Sequence, residues 1–291
     1  MYKIIHKQVI AQDIKKIDIA APLIAGRALP GQFVMVTPLK GEHNIPMTIV
    51  EADERRSVVS LLVHEVGPAT RKLGGLSIGE GLYQMVGPLG LGAQMDKYGL
   101  VICVATGVGV AQILPICRGL KKKGNKVIGI IGAKSKKVLM LESQMRVVCD
   151  EIFITTNDGS YERKGLATGL LKELLNKYNV HRVYAIGSVE MMQAAAQMTK
   201  EKGIPIRVTL NPYMVNGLGI CGSCRVKIDG KNRLACVDGP EFDGHLVDYQ
   251  DLSQRMNALE PRSWEDQTHP ICLKRPGFTT FAKSLWASVK K

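Results

Sequence analysis

Leu100-Val101-Ile102-Cys103-Val104-Ala105-Thr106-Gly107-Val108-Gly109-Val110-Ala111 is the stretch on which the fold turns. Its first six residues are continuously apolar, the pattern of a strand buried on both faces. A Thr-Gly-x-Gly turn follows, and a helical pattern starts at Val110. Glycines at such a turn let a pyrophosphate approach the N–H groups of a helix N-terminus. The third glycine of the full fingerprint is missing, and no acidic residue ends a second strand about 20 residues on. A simple tight turn explains the two glycines equally well.

Downstream, strand patterns at 126–131, 152–155 and 182–186 alternate with helical patterns at 110–122, 140–148, 169–178 and 190–201, and Val208 closes the unit. Such alternation predicts a parallel sheet with helices on both faces. Gly187-Ser188-Val189-Glu190-Met191 repeats the strand–turn–helix logic, and Asn157-Asp158-Gly159-Ser160 ends the third strand. Thr106, Gly107, Gly109, Asn157, Asp158, Gly187 and Met191 are therefore the candidate walls of one nucleotide crevice.

Upstream, strand patterns occupy 2–10, 13–19, 32–37, 47–51 and 57–66, with one short helical stretch at 69–73. This predicts a small antiparallel barrel or sandwich. Pro46-Met47-Thr48, Val66-Gly67-Pro68-Ala69-Thr70 and Gly87-Pro88-Leu89-Gly90 punctuate it. Turns alone account for all three. The Thr48 hydroxyl is a candidate donor to a flavin ring nitrogen, and the N–H groups of Ala69 and Thr70 are candidate phosphate ligands.

The strongest chemical signal is Asn216-x4-Cys221-x2-Cys224-x11-Cys236, set in the loop Val215-Asn216-Gly217-Leu218-Gly219-Ile220-Cys221-Gly222-Ser223-Cys224. Plant-type [2Fe-2S] proteins use C-x4-C-x2-C and a distant fourth cysteine. The spacing matches, with Asn216 at the first ligand position. Glycines let backbone N–H groups curl towards cluster sulfurs. Asn216 is a questionable ligand, and Asp229 and Asp238 lie close in sequence. A zinc site completed by His245 and a set of buried thiols are the alternatives.

The chain has 291 residues, 39 basic and 26 acidic, for a net charge of +13. The basic residues are dispersed, with clusters only at Lys121–Lys123 and Lys134–Lys137. Aromatic content is 5%, poor for a nucleic-acid stacking surface, so an acidic protein partner or an anionic cofactor fits better. Met1 to Lys7 does not read as a secretory signal. Seven cysteines without such a signal point to thiols or metal ligands in a reducing, cytoplasmic setting. Leu100 to Cys117 is uncharged, yet Gly107, Gly109 and Pro115 make it a strand plus a helix, not a membrane span.

Barrel, sheet with Thr-Gly-x-Gly-x-Ala, then Gly187-x3-Met191-Met192, then a C-terminal cysteine loop together resemble the ferredoxin–NADP reductase superfamily. Within it, the chain resembles the electron-transfer subunit of dihydroorotate dehydrogenase. It resembles still more the small (alpha) subunit of NADH-dependent reduced ferredoxin:NADP oxidoreductase, also known as sulfide dehydrogenase subunit beta. Cys236-Val237-Asp238-Gly239-Pro240-Glu241-Phe242 and His245-Leu246-Val247-Asp248 carry that last likeness. The resemblance covers about residues 1–250.

It implies an FAD-binding β-barrel at 1–98, an NAD-binding α/β domain at 99–210, an iron–sulfur module at 211–250 and a tail at 251–291. It implies FAD contacts from Pro46, Met47, Thr48, Val63, Gly67, Ala69, Thr70, Gly87 and Gly90, with Thr48 as the catalytic candidate. Asn44 stands where the family carries an arginine. Cys221, Cys224 and Cys236, with Asn216, are the implied cluster ligands. The first ligand is typically Asp in the NADH-dependent relative and Cys in the dihydroorotate relative. The implied cofactors are FAD, a [2Fe-2S] cluster and NAD(H). The implied partner is a large flavin and iron–sulfur oxidoreductase subunit in a heterodimer, which reaches ferredoxin indirectly and couples the reactions by electron bifurcation. A non-catalytic nucleotide-binding regulator, with zinc or no metal, is the competing expectation. The tail carries Trp264, Phe278, Phe281, Leu285 and Trp286 among Lys274, Arg275 and Lys283, and its last part is a candidate partner-binding helix, with a frayed basic tail as the equal alternative.

Overall fold

A computed structural model describes residues 2–259. The chain divides into two compact units, residues 1–253 and 254–291, and the first holds both sheets and the cysteine loop. The candidate partner-binding helix of the tail lies outside the described residues.

Seven antiparallel strands form the first sheet: β1 (Tyr2–Ala11), β2 (Ile14–Ala20), β3 (Phe33–Thr37), β4 (Ile45–Asp53), β5 (Val58–His64), β6 (Gly81–Leu82) and β7 (Gln84–Leu89). Helices α1 (Pro22–Ala25) and α2 (Pro68–Gly75) interrupt them. The strand order is β6-β1-β2-β5-β4-β3-β7. Tyr83 alone separates the two edge strands, so the sheet curls into a nearly closed barrel. Register shifts in β1 at Ile4/His6 and Val9/Ala11 help it bend. Strands β6 and β7 are too short or too irregular in pattern to be read from the sequence.

The second sheet contains β8 (Leu100–Thr106), β9 (Lys126–Ala133), β10 (Glu151–Thr156), β11 (Arg163–Lys164), β12 (Arg182–Ile186) and β13 (Ile206–Thr209), all parallel. Their crossover helices are α3 (Gly109–Lys122), α4 (Glu142–Val148), α5 (Ala167–Lys177) and α6 (Val189–Glu201). Helix α4 starts later than the pattern at 140–148 suggests. Leu141 adopts a left-handed conformation (φ 56°, ψ 19°), which ends the preceding segment, and Met140 and Leu141 are buried as anchors ahead of the helix. Strand order β11-β10-β9-β8-β12-β13 reverses direction between β8 and β12. That reversal is the topological switch point, where open α/β sheets bind ligands outside the carboxyl ends of the strands.

Residues 211–248 add a hairpin, β14 (Arg225–Ile228) and β15 (Lys231–Leu234), and the strand β16 (Glu241–Asp243), which pairs antiparallel with β13. The described chain ends in α7 (Tyr249–Leu259). Barrel and sheet share one core through α3. Ile14, Val50 and Leu62 from the barrel cluster with Ile113, Leu114 and Cys117 of α3 and with Val101 and Cys103 of β8. A helix buried on both sides reads as apolar nearly all round. This accounts for the uncharged run from Leu100 to Cys117. Among the described residues, no helix is long and apolar enough to cross a membrane.

Candidate functional site

Where the barrel meets the N-terminus of α3, a cavity of about 250 Å³ opens. Pro46, Met47 and Thr48 of β4, Leu62 and His64 of β5, and Thr70 of α2 form its barrel side. Val108, Ala111, Gln112, Asn211, Pro212 and Met214 form the other side. The lining is mostly apolar with a few polar groups, the composition of a cofactor pocket. Val63 is not among the lining residues. Its side chain belongs to the barrel core, because successive residues of a strand face opposite ways. Leu62 and His64, passed over in the sequence, take its place.

The N–H groups of Ala69 and Thr70 lie in the first turn of α2, where no intrahelical acceptor exists. The Thr70 hydroxyl is used locally: it accepts from Gly67 N–H and donates to Gly67 C=O, each at 3.0 Å. Gly87 and Gly90 have packing reasons of their own. A Cβ would lie 2.6 Å from Val34 Cγ1 at Gly87 and 2.8 Å from Pro240 Cδ at Gly90. Asn44 does not face the cavity. Its Oδ1 accepts from the Thr37 hydroxyl (2.6 Å) and its Nδ2 donates to Val215 C=O (3.2 Å). Gln112 and Asn211 exchange two side-chain hydrogen bonds of 2.8 and 2.9 Å, which fasten the start of the cysteine module to α3. No local pattern marks Gln112 or Asn211, because they are far apart in sequence.

At the switch point two glycines sit where neighbouring atoms leave no room for a Cβ. A Cβ at Gly109 would stand 2.5 Å from Ile186 C=O, and one at Gly187 would stand 2.0 Å from Thr106 Oγ1 and 2.6 Å from Met191 Cε. Thr106, Gly109, Gly187 and Met191 are thus brought together at the carboxyl ends of β8 and β12. Ser188 caps α6 by accepting from Met191 N–H at 3.3 Å. Asn157 and Asp158 lie exposed beyond β10, and Asp158 Oδ1 accepts from Ser160 N–H (3.0 Å). Hydrogen bonding to Ser160 holds the Asp158 carboxyl below its ordinary range. A more open hollow of about 510 Å³, lined by Tyr178, His181 and Lys202 among others, lies at the opposite ends of β12 and β13. It is on the wrong edge of the sheet for a switch-point ligand.

In the cysteine loop, Cys224 and Cys236 are buried with their sulfurs 3.2 Å apart. Cys221 is exposed, and its sulfur lies 3.2 Å from Ser223 Oγ. That hydroxyl lowers the Cys221 pKa to about 7. Burial and the neighbouring Cys224 push Cys236 up to about 11. Gly217 has a φ of +72° and no room for a side chain, since a Cβ would meet Met35 Cγ at 2.6 Å. Among the described residues, no three His, Cys, Asp or Glu side chains converge as a metal-holding group. A close thiol pair, a third thiol on the rim and a glycine-rich cradle fit a soft, thiolate-bound group in donor type.

The other candidate ligands are engaged elsewhere. Asn216 Oδ1 accepts from Leu218 N–H at 2.9 Å and shapes the loop. Asp238 Oδ2 accepts from Leu234 N–H at 2.7 Å, and Asp229 occupies a turn with φ of 50°. The His245 ring bonds the Thr199 hydroxyl of α6 through Nε2 at 3.0 Å.

A flavin-type barrel and a nicotinamide-type sheet sharing one core, followed by a cysteine-loop module, define the ferredoxin-reductase-like class of redox proteins. Residues 211–248 match the iron–sulfur cluster binding domain of dihydroorotate dehydrogenase B. A dihydroorotate dehydrogenase B (NAD(+)) electron transfer subunit homolog of Thermotoga maritima is 35% identical over 94% of this chain and 96% of its own. A Clostridium beijerinckii protein from the adh 3′ region is 39% identical over 89% of this chain and 90% of its own. A solved structure of NADH-dependent reduced ferredoxin-NADP oxidoreductase superposes with a TM-score of 0.86 at 33% identity, covering 92% of this chain and 95% of that one. The chain belongs to the family of dihydroorotate dehydrogenase B electron transfer subunits and their homologues, proteins of oxidoreductase electron transfer.

Proposed function

We propose that the chain is the NAD(H)-, FAD- and [2Fe-2S]-carrying subunit of a heterodimeric ferredoxin:NADP oxidoreductase. One observation carries this reading: the barrel cavity, the switch-point crevice and the cysteine loop adjoin within a single unit, joined at Gln112 and Asn211. When bound, these groups supply two-electron exchange at the nicotinamide, conversion to single electrons at the flavin and onward transfer at the cluster.

The chain's own part is to hold and separate them. Thr48, Leu62, His64 and the first-turn N–H groups of α2 would receive the flavin, with Pro46 and Met47 packing beside it. Thr106, Gly107, Gly109, Gly187 and Met191 would admit the dinucleotide at the switch point, with Asn157 and Asp158 at its rim. Cys221, Cys224 and Cys236 would hold the cluster. Asn216 shapes the loop and leaves the fourth position to another donor. The large flavin and iron–sulfur subunit would accept the electrons and relate them to ferredoxin.

The match of 211–248 supports a second reading, the electron-transfer subunit of a dihydroorotate dehydrogenase. An anaerobic absorbance spectrum with iron and flavin quantified tests what both share. The expected result is a flavin spectrum over broad iron–sulfur absorbance, and a protein that stays colourless after reconstitution removes both. The co-purifying large subunit, assayed with ferredoxin and NADP or with dihydroorotate, separates them.

A further inference from the structure

Asn44 and Asn216 both depart from the pattern that the family resemblance implies, and the structure brings the two departures to the same stretch of loop. Asn44, on the segment entering β4, donates from Nδ2 to the carbonyl of Val215, the residue before Asn216. The Thr37 hydroxyl, at the end of β3, donates to Asn44 Oδ1 at 2.6 Å, and the Val215 carbonyl, which can only accept, fixes which way the amide faces. Val215 N–H in turn donates to Ser223 Oγ at 3.1 Å, and Ser223 Oγ lies 3.2 Å from Cys221 Sγ. A hydrogen-bonded chain therefore runs Thr37–Asn44–Val215–Ser223–Cys221. Strand β3 grips the same arm a second time, through Met35 packed against Gly217. Asn216 closes the arm on itself through Leu218 N–H.

Both polar atoms of the Asn44 side chain are thereby committed, neither of them to the flavin cavity. A loop whose first position is a thiolate is drawn into shape by its metal. Here the same arm is held by amide hydrogen bonds and by packing on the barrel. We propose that Asn44 is a positioning residue. It tethers the leading arm of the cysteine loop to the barrel and so preorganises the loop without a ligand at 216. The inference rests on the reading of this loop as a cluster site.

The test is hydrogen exchange of the peptide spanning residues 214–219, in the full-length protein freed of metal. Asn44→Ala is expected to speed exchange there by on the order of two- to tenfold, the range of one hydrogen bond's net worth. Asn44→Asp keeps an acceptor for Thr37 but loses the donor to Val215, so it should behave like Asn44→Ala. Thr37→Val should act in the same direction, more weakly, and add nothing in the Asn44→Ala background. In reconstituted protein, Asn44→Ala should release iron to a chelator faster by a similar factor while FAD affinity stays within about twofold.

Unchanged exchange at 214–219 in Asn44→Ala overturns the proposal. So does a tenfold loss of FAD affinity with the loop undisturbed, which would return Asn44 to the flavin phosphates. A wild-type protein that never takes up iron would sink the proposed function, and the exchange comparison would still decide the tether.

Discussion

The turn after β8 and the loop before β14 are both glycine-rich, yet glycine serves different ends in them. At the turn, Gly109 lets backbone meet backbone at Ile186 C=O, and Gly187 makes room for the side chains of Thr106 and Met191. The crevice is thus set mainly by strand register and helix packing, with the Thr106 and Met191 side chains seated against Gly187. In the loop, Gly217 supplies a left-handed turn, but the arm around it is held by Asn44, Asn216 and Ser223 side chains. A site set by backbone fails when atoms are added, and a site held by side chains fails when atoms are removed.

The largest test of this contrast is Cys224→Ser. Removing one of the buried, paired thiols should take bound iron to near zero on assay, while NAD(H) affinity measured by titration stays unchanged. Loss of both together would mean that the two sites do not fail separately. Next comes Gly109→Ala, which adds one methyl against a backbone carbonyl. Overpacking of this kind costs about 1–3 kcal/mol. A fall in melting temperature together with weakened NAD(H) binding is expected, and an unaltered protein would break the backbone account of the crevice.

A smaller effect is expected at His64, the one ionisable side chain lining the barrel cavity. His64→Ala should weaken FAD by roughly tenfold, the scale of a charge-assisted hydrogen bond, and leave riboflavin, which lacks phosphate, unaffected. Equal loss for both ligands would assign His64 to the ring instead. The finest effect is one of pH. In metal-free protein, alkylation of Cys221 should rise with pH through a midpoint of about 7 and then level off, because the thiolate is the nucleophile. Ser223→Ala should move that midpoint upward. A midpoint unmoved by Ser223→Ala would remove the hydroxyl from the loop's electrostatics.

Much of the architecture was legible because it follows from periodicity. The run from Leu100 to Ala105 and the alternation after it specify β8, α3 and the parallel sheet. The hairpin β14–β15 carried a sign that went unread: Asp229-Gly230 occupies its two-residue turn, both with positive φ. What the chain could not disclose locally are the long-range meetings. Asn44 and Val215 touch across 171 residues, and Gln112 and Asn211 across 99. His245, named for an alternative zinc site, has its ring Nε2 bonded to Thr199 on a separate element. Val63 lies one position away from the side chains that face the cavity, a difference set by the two-residue side-chain period of a strand.

In the proposed function, one chain links nicotinamide, flavin and cluster. Anaerobic titration of the purified, reconstituted protein with NADH, followed by absorbance and by electron paramagnetic resonance, tests it most directly. The expected result is bleaching of the flavin band together with a reduced [2Fe-2S] spin signal in proportion to the protein. Flavin bleaching with no cluster signal, in a sample shown to contain iron, would contradict it.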